Sequence, residues 1–125
     1  MRRPLLALIM TLVGIGVFAG GLAWLLELPK PPPHASGVER EWLALCATCH
    51  GADGRGSWRA MLFLIRPGNF TDPTRLEGVS DEALASIIKN GGAPVGKPGM
   101  PAFGGSLSDA EADALVVYVR SLSRR

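Results

Sequence analysis

The stretch that decides the fold is Cys46-Ala47-Thr48-Cys49-His50, two thiols three residues apart with a histidine directly after the second. On one helical turn the two thiols lie on the same side of the chain. C-x-x-C-H is the signature for attachment of c-type haem. The thiols add to the haem vinyl groups as thioethers, and the adjacent histidine ligates the iron. The sequence therefore predicts one covalent haem c, held by Cys46 and Cys49 and ligated by His50.

Three other interpretations of this pentapeptide fit less well. A thioredoxin-like dithiol would need a βαβ context, and the chain has no strand-rich run. A structural zinc site would need four Cys or His ligands, and only His34 remains outside the motif. A disulfide across two residues would be strained and would leave His50 without a role.

The second axial ligand of the iron has three candidates, His34, Met61 and Met100. His34 lies in a proline-rich segment, and Met61 lies in an apolar run where methionine usually fills a core. Met100 lies in residues 89–105, where six glycines and three prolines occupy 17 positions. Such a segment cannot be a helix, but prolines stiffen it as a loop. We predict Met100 as the ligand, and thioether ligation raises the reduction potential relative to two histidines.

The chain has 125 residues with an uneven distribution of apolar side chains. From Leu5 to Leu28, 18 of 24 residues are apolar, whereas from Pro29 to Arg125 the count is 40 of 97. A domain of that size, rich in glycine and proline, has a small hydrophobic core and needs additional stabilisation. The covalently bound haem would supply it. The net charge of +2 argues against a nucleic-acid partner, which would require a concentrated basic face.

Residues 1–28 are predicted to be an N-terminal transmembrane anchor. The segment Leu5–Leu26 contains Thr11 as its only polar side chain and would be about 33 Å long as a helix. Arg2 and Arg3 precede it, so the positive-inside rule places the N-terminus in the cytoplasm. A cleavable signal peptide is the alternative, and either one exports the domain. Gly16 and Gly20 form a small-xxx-small pair suited to packing against another membrane helix.

Residues 29–36 contain three consecutive prolines and are predicted to be an extended polyproline stalk. Residues 37–125 then form the haem domain, with a first helix over Val38–Cys49. Ser80 begins a second helix, and the capping box Ser108-Asp109-Ala110-Glu111 begins a third. The expected fold class is all-α, with three main helices and long loops around one haem, preceded by one transmembrane helix.

With these features the domain resembles a class I cytochrome c from about residue 37 to residue 122. Trp42 stands four residues before Cys46, where the family has an aromatic, and Leu115 and Tyr118 match its apolar and aromatic pair in the last helix. The resemblance implies that this pair packs across the first helix. It also implies that Pro67 supplies the carbonyl that accepts a hydrogen bond from His50.

The resemblance implies a membrane-anchored one-electron carrier and not an enzyme. We expect the haem domain on the periplasmic face of a bacterial inner membrane, with redox proteins as partners and membrane lipid around the anchor. The alternative is a haem c subunit of a larger membrane complex: a terminal oxidase, a quinol-oxidising complex or a periplasmic dehydrogenase. We expect at least one of Trp58, Arg59 and Arg66 to bind the haem propionates, which are buried anions that need partners.

Overall fold

The computed structural model describes residues 2–27 and 30–124, and this part of the chain contains helices and no strands. The all-α prediction is therefore confirmed. Helix α1 spans Arg2–Leu26; α2 consists of the consecutive segments Gly37–Glu41, Trp42–Cys46 and Ala47–His50; α3 spans Trp58–Leu62; α4 spans Asp81–Asn90; and α5 spans Asp109–Leu122. Short 3₁₀ turns at Pro73–Leu76 and Ala93–Val95 lie in the connecting loops.

Helix α1 contains the predicted anchor. Its segment Arg3–Leu26 is 24 residues long, and by length and composition it can cross a membrane. None of its described side chains is buried by the rest of the molecule. Open space surrounds Gly16 and Gly20, so their packing against another helix stays a prediction.

Helix α2 extends one residue further at each end than the predicted Val38–Cys49. Ser36 caps its N-terminus by accepting a hydrogen bond from the Glu39 amide at 3.2 Å. The middle of the helix, Trp42–Cys46, is a π-helical turn, with the Ala47 amide bonded to the Trp42 carbonyl. Such a turn adds a residue to the local repeat and is common at functional sites. It rotates the segment that carries the second thiol relative to the first part of the helix.

Helices α2 and α5 pack together to form the core. The rings of Trp42 and Tyr118 lie 5.6 Å apart, and Leu115, Val119 and Leu122 complete the same buried cluster. This confirms the predicted packing of the last helix across the first. The Trp42 indole also donates to the Ala52 carbonyl at 3.2 Å, which fixes the turn that follows α2.

The two later helices begin where their capping residues predict. The Ser80 hydroxyl accepts from the Ala83 amide at 3.2 Å at the start of α4. At the start of α5, Ser108 and Glu111 form the complete capping box. Arg120 of α5 joins the two helices by donating to the Asp81 carboxylate.

The prediction of an extended stalk is wrong for the second half of residues 29–36. The Ala35 amide donates to the Pro32 carbonyl at 3.0 Å, which closes a turn over Pro32–Ala35. Pro33 occupies the second position of this turn, where its fixed φ is favourable. Ala35 is buried, so the chain enters the domain at this turn and does not continue as a straight spacer.

Candidate haem-binding site

Cys46 and Cys49 lie at the C-terminal part of α2, half-buried and not joined by a disulfide. Burial raises the pKa of the Cys46 thiol to about 12, and the charges of Cys49 and Glu41 add to the effect. Reactive dithiol centres instead lower the pKa of one thiol. Burial thus disfavours the thiolate of Cys46, the form in which this residue would take part in thiol–disulfide exchange.

His50 ends α2 and forms a cluster of three rings with Phe70 and Trp42. Its imidazole stacks on Phe70 at 4.8 Å with a 23° angle, and the Trp42 ring lies 5.9 Å away. Burial lowers the pKa of His50, and the backbone of Gly68 partly offsets this by favouring protonation. The imidazole is therefore neutral at physiological pH, the form in which histidine binds a metal.

The Nδ1 atom of His50 is buried and has no hydrogen-bond partner among the described residues. The Gly68 backbone raises the pKa of this imidazole as a hydrogen-bonding group, although no bond is formed at Nδ1. Gly68 directly follows Pro67, whose carbonyl is the predicted acceptor. The backbone that acts on the imidazole is thus one residue further along the chain, and the role of Pro67 stays a prediction. A metal-bound histidine generally has its other ring nitrogen paired, and this loop is where the acceptor must come from.

Met100 is half-buried in a loop that its own backbone holds together. The Gly92 amide donates to the Met100 carbonyl at 3.0 Å, and the Met100 amide donates to the Lys97 carbonyl at 3.0 Å. The Lys97 amide donates to the Gly92 carbonyl at 2.8 Å. A Cβ on Gly92 would lie 2.2 Å from the Lys97 oxygen, so only glycine fits there. The two other candidate ligands, Met61 and His34, are both exposed.

The Met100 loop meets the segment that follows α3. A Cβ on Gly99 would lie 3.3 Å from Cγ1 of Ile65, which shows how closely the two segments approach. Ile65 in turn is two residues before Pro67 and three before Gly68. The chain from α3 to Phe70 therefore contacts both the loop that contains Met100 and the predicted histidine ligand.

The donor set fits haem c. Two free thiols and a neutral, half-buried imidazole share the end of one helix, and the stiffened loop contains a thioether. Within residues 2–27 and 30–124, no group of three or more His, Cys, Asp or Glu side chains is placed to hold a metal ion.

The three predicted propionate residues occupy different environments. Trp58 and Arg66 are exposed, whereas Arg59 is half-buried and donates from Nη2 to the Glu27 carbonyl at 2.5 Å. Sequence reasoning missed this contact, and it also missed the stacking of Phe70 on His50. Neither has a signal in the sequence, because each joins residues at least 20 positions apart.

Comparison with known proteins identifies the family. Residues 34–119 match the family described as cytochrome c oxidase, cbb3-type, subunit III. The chain is 35% identical over 94 residues to the cbb3-type cytochrome c oxidase subunit FixP of Azorhizobium caulinodans, covering 75% of this chain and 29% of the relative. It is 33% identical over 103 residues to the subunit CcoP of Rubrivivax gelatinosus, covering 81% of this chain and 31% of the relative.

The chain thus spans about three-tenths of the length of these curated relatives. The matched region contains both the C-x-x-C-H motif and Met100. Together with the helical fold and the donor set, this shows that the chain is a c-type cytochrome and belongs to the cbb3-type cytochrome c oxidase subunit III family.

Proposed function

We propose that this chain is a haem c subunit that carries electrons within a membrane-bound terminal oxidase of the cbb3 type. The observation that carries the proposal is the family match over residues 34–119, which includes every residue of the candidate site. The names of both relatives describe oxidase subunits, and this favours the subunit over a free carrier. The chain itself transfers electrons and leaves oxygen chemistry to other parts of the complex.

The candidate site supplies the residues that such a subunit needs. Cys46 and Cys49 hold one haem through thioethers, and His50 and Met100 ligate its iron. When bound, the haem supplies one-electron chemistry by alternating between the ferric and ferrous states. Phe70 and Trp42 keep the His50 ring in place, and the Met100 loop restricts the position of the thioether.

The apolar helix α1 supports a bacterial inner-membrane location with the haem domain on the periplasmic side. Arg2 and Arg3 precede the span, and the positive-inside rule assigns that end to the cytoplasm. Haem attachment in bacteria takes place outside the cytoplasm, which requires the domain to be exported. The partners in this arrangement are membrane lipid, redox proteins and the other subunits of the oxidase.

Gentle solubilisation of the host membrane tests the proposal. We expect the haem of this chain to migrate in a large assembly with oxidase activity, and to resist acid-acetone extraction because it is covalent. A small haem protein that migrates alone would instead identify a free carrier. Haem that is extracted by acid-acetone would contradict the assignment of Cys46 and Cys49.

A further inference from the structure

The imidazole of His50 has two ring neighbours, and they restrict its rotation to different degrees. Phe70 stacks on it with ring centroids 4.8 Å apart and planes 23° apart. The Trp42 ring lies 5.9 Å away and is tilted by 40°. Rotation of the imidazole about its Cβ–Cγ bond would break the stacked arrangement with Phe70, whereas a tilted contact changes less. Phe70 is therefore the ring contact that most resists a change of the imidazole plane.

The second ring nitrogen of His50 does not fix this plane. In metal sites the ligating histidine is generally oriented by a hydrogen bond at its other ring nitrogen. Nδ1 of His50 is buried and forms no hydrogen bond within the described part of the chain. The orientation of the imidazole consequently depends on the side chains packed against it, and Phe70 has the closest ring contact.

The backbone of Phe70 is held on both sides. Its amide donates to the Gly54 carbonyl at 2.8 Å. The Asn69 side chain accepts from the Thr71 amide at 3.0 Å and from the Thr71 hydroxyl at 2.7 Å, which closes an Asx turn around Phe70. The ring that stacks on His50 thus belongs to a residue whose backbone position is fixed.

The side chain of Phe70 also packs against the core of the domain. Its ring meets the Trp42 ring edge-on, with centroids 6.2 Å apart and planes 63° apart, and it contacts the buried cluster that joins α2 and α5. Gly54, which holds the Phe70 amide, lies against α5, since a Cβ on Gly54 would be 2.7 Å from Cδ1 of Leu122. A movement of Phe70 would therefore disturb close-packed neighbours, and this keeps its ring in place.

We propose that Phe70 is a positioning residue for the axial ligand, because its stacked ring sets the plane in which the His50 imidazole ligates the iron. The inference rests on the proposed role of His50 as a haem ligand and adds the group that orients this ligand. A ligand held by rigid neighbours keeps its orientation when the iron changes oxidation state. The structural change that accompanies each electron is then small, which favours rapid electron transfer.

Electron paramagnetic resonance of the ferric haem in the full chain tests this proposal. In a low-spin ferric haem the largest g value depends on the orientation of a planar axial ligand. Phe70→Leu and Phe70→Met remove the planar ring and leave an apolar side chain, whereas Phe70→Tyr keeps the ring. The matched control is Leu115→Ala, which removes apolar atoms from the same buried cluster but takes no ring away from His50. The haem absorbance shows that each variant has its haem attached.

We expect Phe70→Leu and Phe70→Met to shift the largest g value by more than the native line width, or to split the signal into two. Phe70→Tyr and Leu115→Ala should keep the native signal, although Leu115→Ala lowers stability. A native signal in both variants without the ring would overturn the proposal. The same shift in Leu115→Ala, or in Phe70→Tyr, would also overturn it, because the effect would then not come from the stacked ring.

The same spectra separate this inference from the proposed function. A low-spin signal in the native chain that no substitution at Phe70 alters would contradict the positioning role alone and leave the ligation by His50 and Met100 in place. A native chain whose ferric haem is high-spin would contradict the proposed pair of axial ligands, and the role of Phe70 would be rejected with it.

Discussion

Leu64 is the one non-glycine residue in the described part of the chain with a positive φ, and its side chain is almost fully exposed. We expect Leu64→Asn to raise the free energy of unfolding by about 0.5 kcal/mol, because asparagine tolerates the left-handed conformation better than leucine. Urea denaturation followed by circular dichroism measures the change. The matched control is Leu64→Ala, which removes the apolar side chain but keeps the backbone strain and should not stabilise. A lower urea midpoint for Leu64→Asn would show that leucine makes a stabilising contact here.

Met100 is the predicted axial ligand, and its replacement has a signature that no purely structural role gives. We expect Met100→Leu to lower the reduction potential by on the order of 0.1 V, within the roughly 0.8 V range that axial ligands span. It should also open the iron to carbon monoxide, since leucine cannot ligate. Redox titration and the carbon monoxide difference spectrum measure the two effects. Met61→Leu is the matched control, because Met61 is 61% exposed, and it should change neither. Unchanged values in both variants would exclude Met100 as ligand.

The site residues differ in how far the sequence alone could predict them. Cys46, Cys49 and His50 follow from one pentapeptide, because the chemistry fixes their order and spacing. Met100 follows from composition, since glycines and prolines surround a single methionine. The backbone that acts on His50 could not be placed to within one residue, because nothing local distinguishes Pro67 from Gly68. That choice depends on how the loop folds back onto α2.

Helix α5 begins with a capping box, and the pKa of its acidic residue makes the stability of the fold depend on pH. The Ser108 hydroxyl and amide each bond the Glu111 carboxylate at 2.7 Å, and both bonds hold the pKa of Glu111 below its usual 4.5. A carboxyl with a lowered pKa in the folded state stabilises the fold above pH 4.5. That stabilisation is lost as the pH falls through the folded-state pKa.

We expect Ser108→Ala to lower the free energy of unfolding at pH 7 by about 1 kcal/mol, because the N-cap is lost. The difference between the variant and the native chain should shrink as the pH falls below 4.5. Asp72, Glu82 and Asp109 also have lowered pKa values, so both chains keep some acid sensitivity. Urea unfolding from pH 3 to pH 7 measures this, with Ser106→Ala as the control outside the capping box. A difference that stays constant with pH would contradict the role assigned to Glu111.

The Met100 loop depends on the absence of a side chain at Gly92. A Cβ there would lie 2.2 Å from the Lys97 oxygen and 3.0 Å from the Met100 Cβ. We expect Gly92→Ala to displace Met100 and to reproduce part of the Met100→Leu effect, namely a lower potential and carbon monoxide binding. Gly105→Ala is the control, because nothing lies within 4 Å of its added Cβ. Redox titration distinguishes them, and a native potential in Gly92→Ala would show that the loop adapts.

Helix positions were predictable from the sequence where a cap and an apolar face agree, as at Ser80 and Ser108. The π-helical turn at Trp42–Cys46 was not predictable from the sequence. In a short helix, one extra residue in a turn does not visibly change the spacing of the apolar residues. The prediction of an extended stalk was wrong for a different reason. Pro33 favours both polyproline and the second position of a turn, and the burial of Ala35 decides between them.

On the scale of the whole molecule, the hydrophobicity of the sequence divides the chain into a predicted anchor and a domain. In the structure, the domain contacts the end of the predicted anchor. The chain enters the domain at the Pro32–Ala35 turn, and Arg59 of α3 donates to the carbonyl of Glu27, the residue directly after α1. The domain is thus seated against the end of the helix and not held away from it. A seated domain keeps a fixed orientation relative to α1.

Loss of the Arg59 contact should release the domain from the end of α1. We expect Arg59→Gln to weaken seating by about 1 kcal/mol, since hydrogen bonds from charged groups contribute somewhat more than neutral ones and this one is partly exposed. Proteolysis at Ala35, which is buried while residues 30–34 are exposed, should then be about five times faster, because this site opens only in the released state. Arg66→Gln is the matched control, as it removes the same charge from the same segment without touching Glu27. Equal cleavage rates in the two variants would mean that the domain is seated by other contacts.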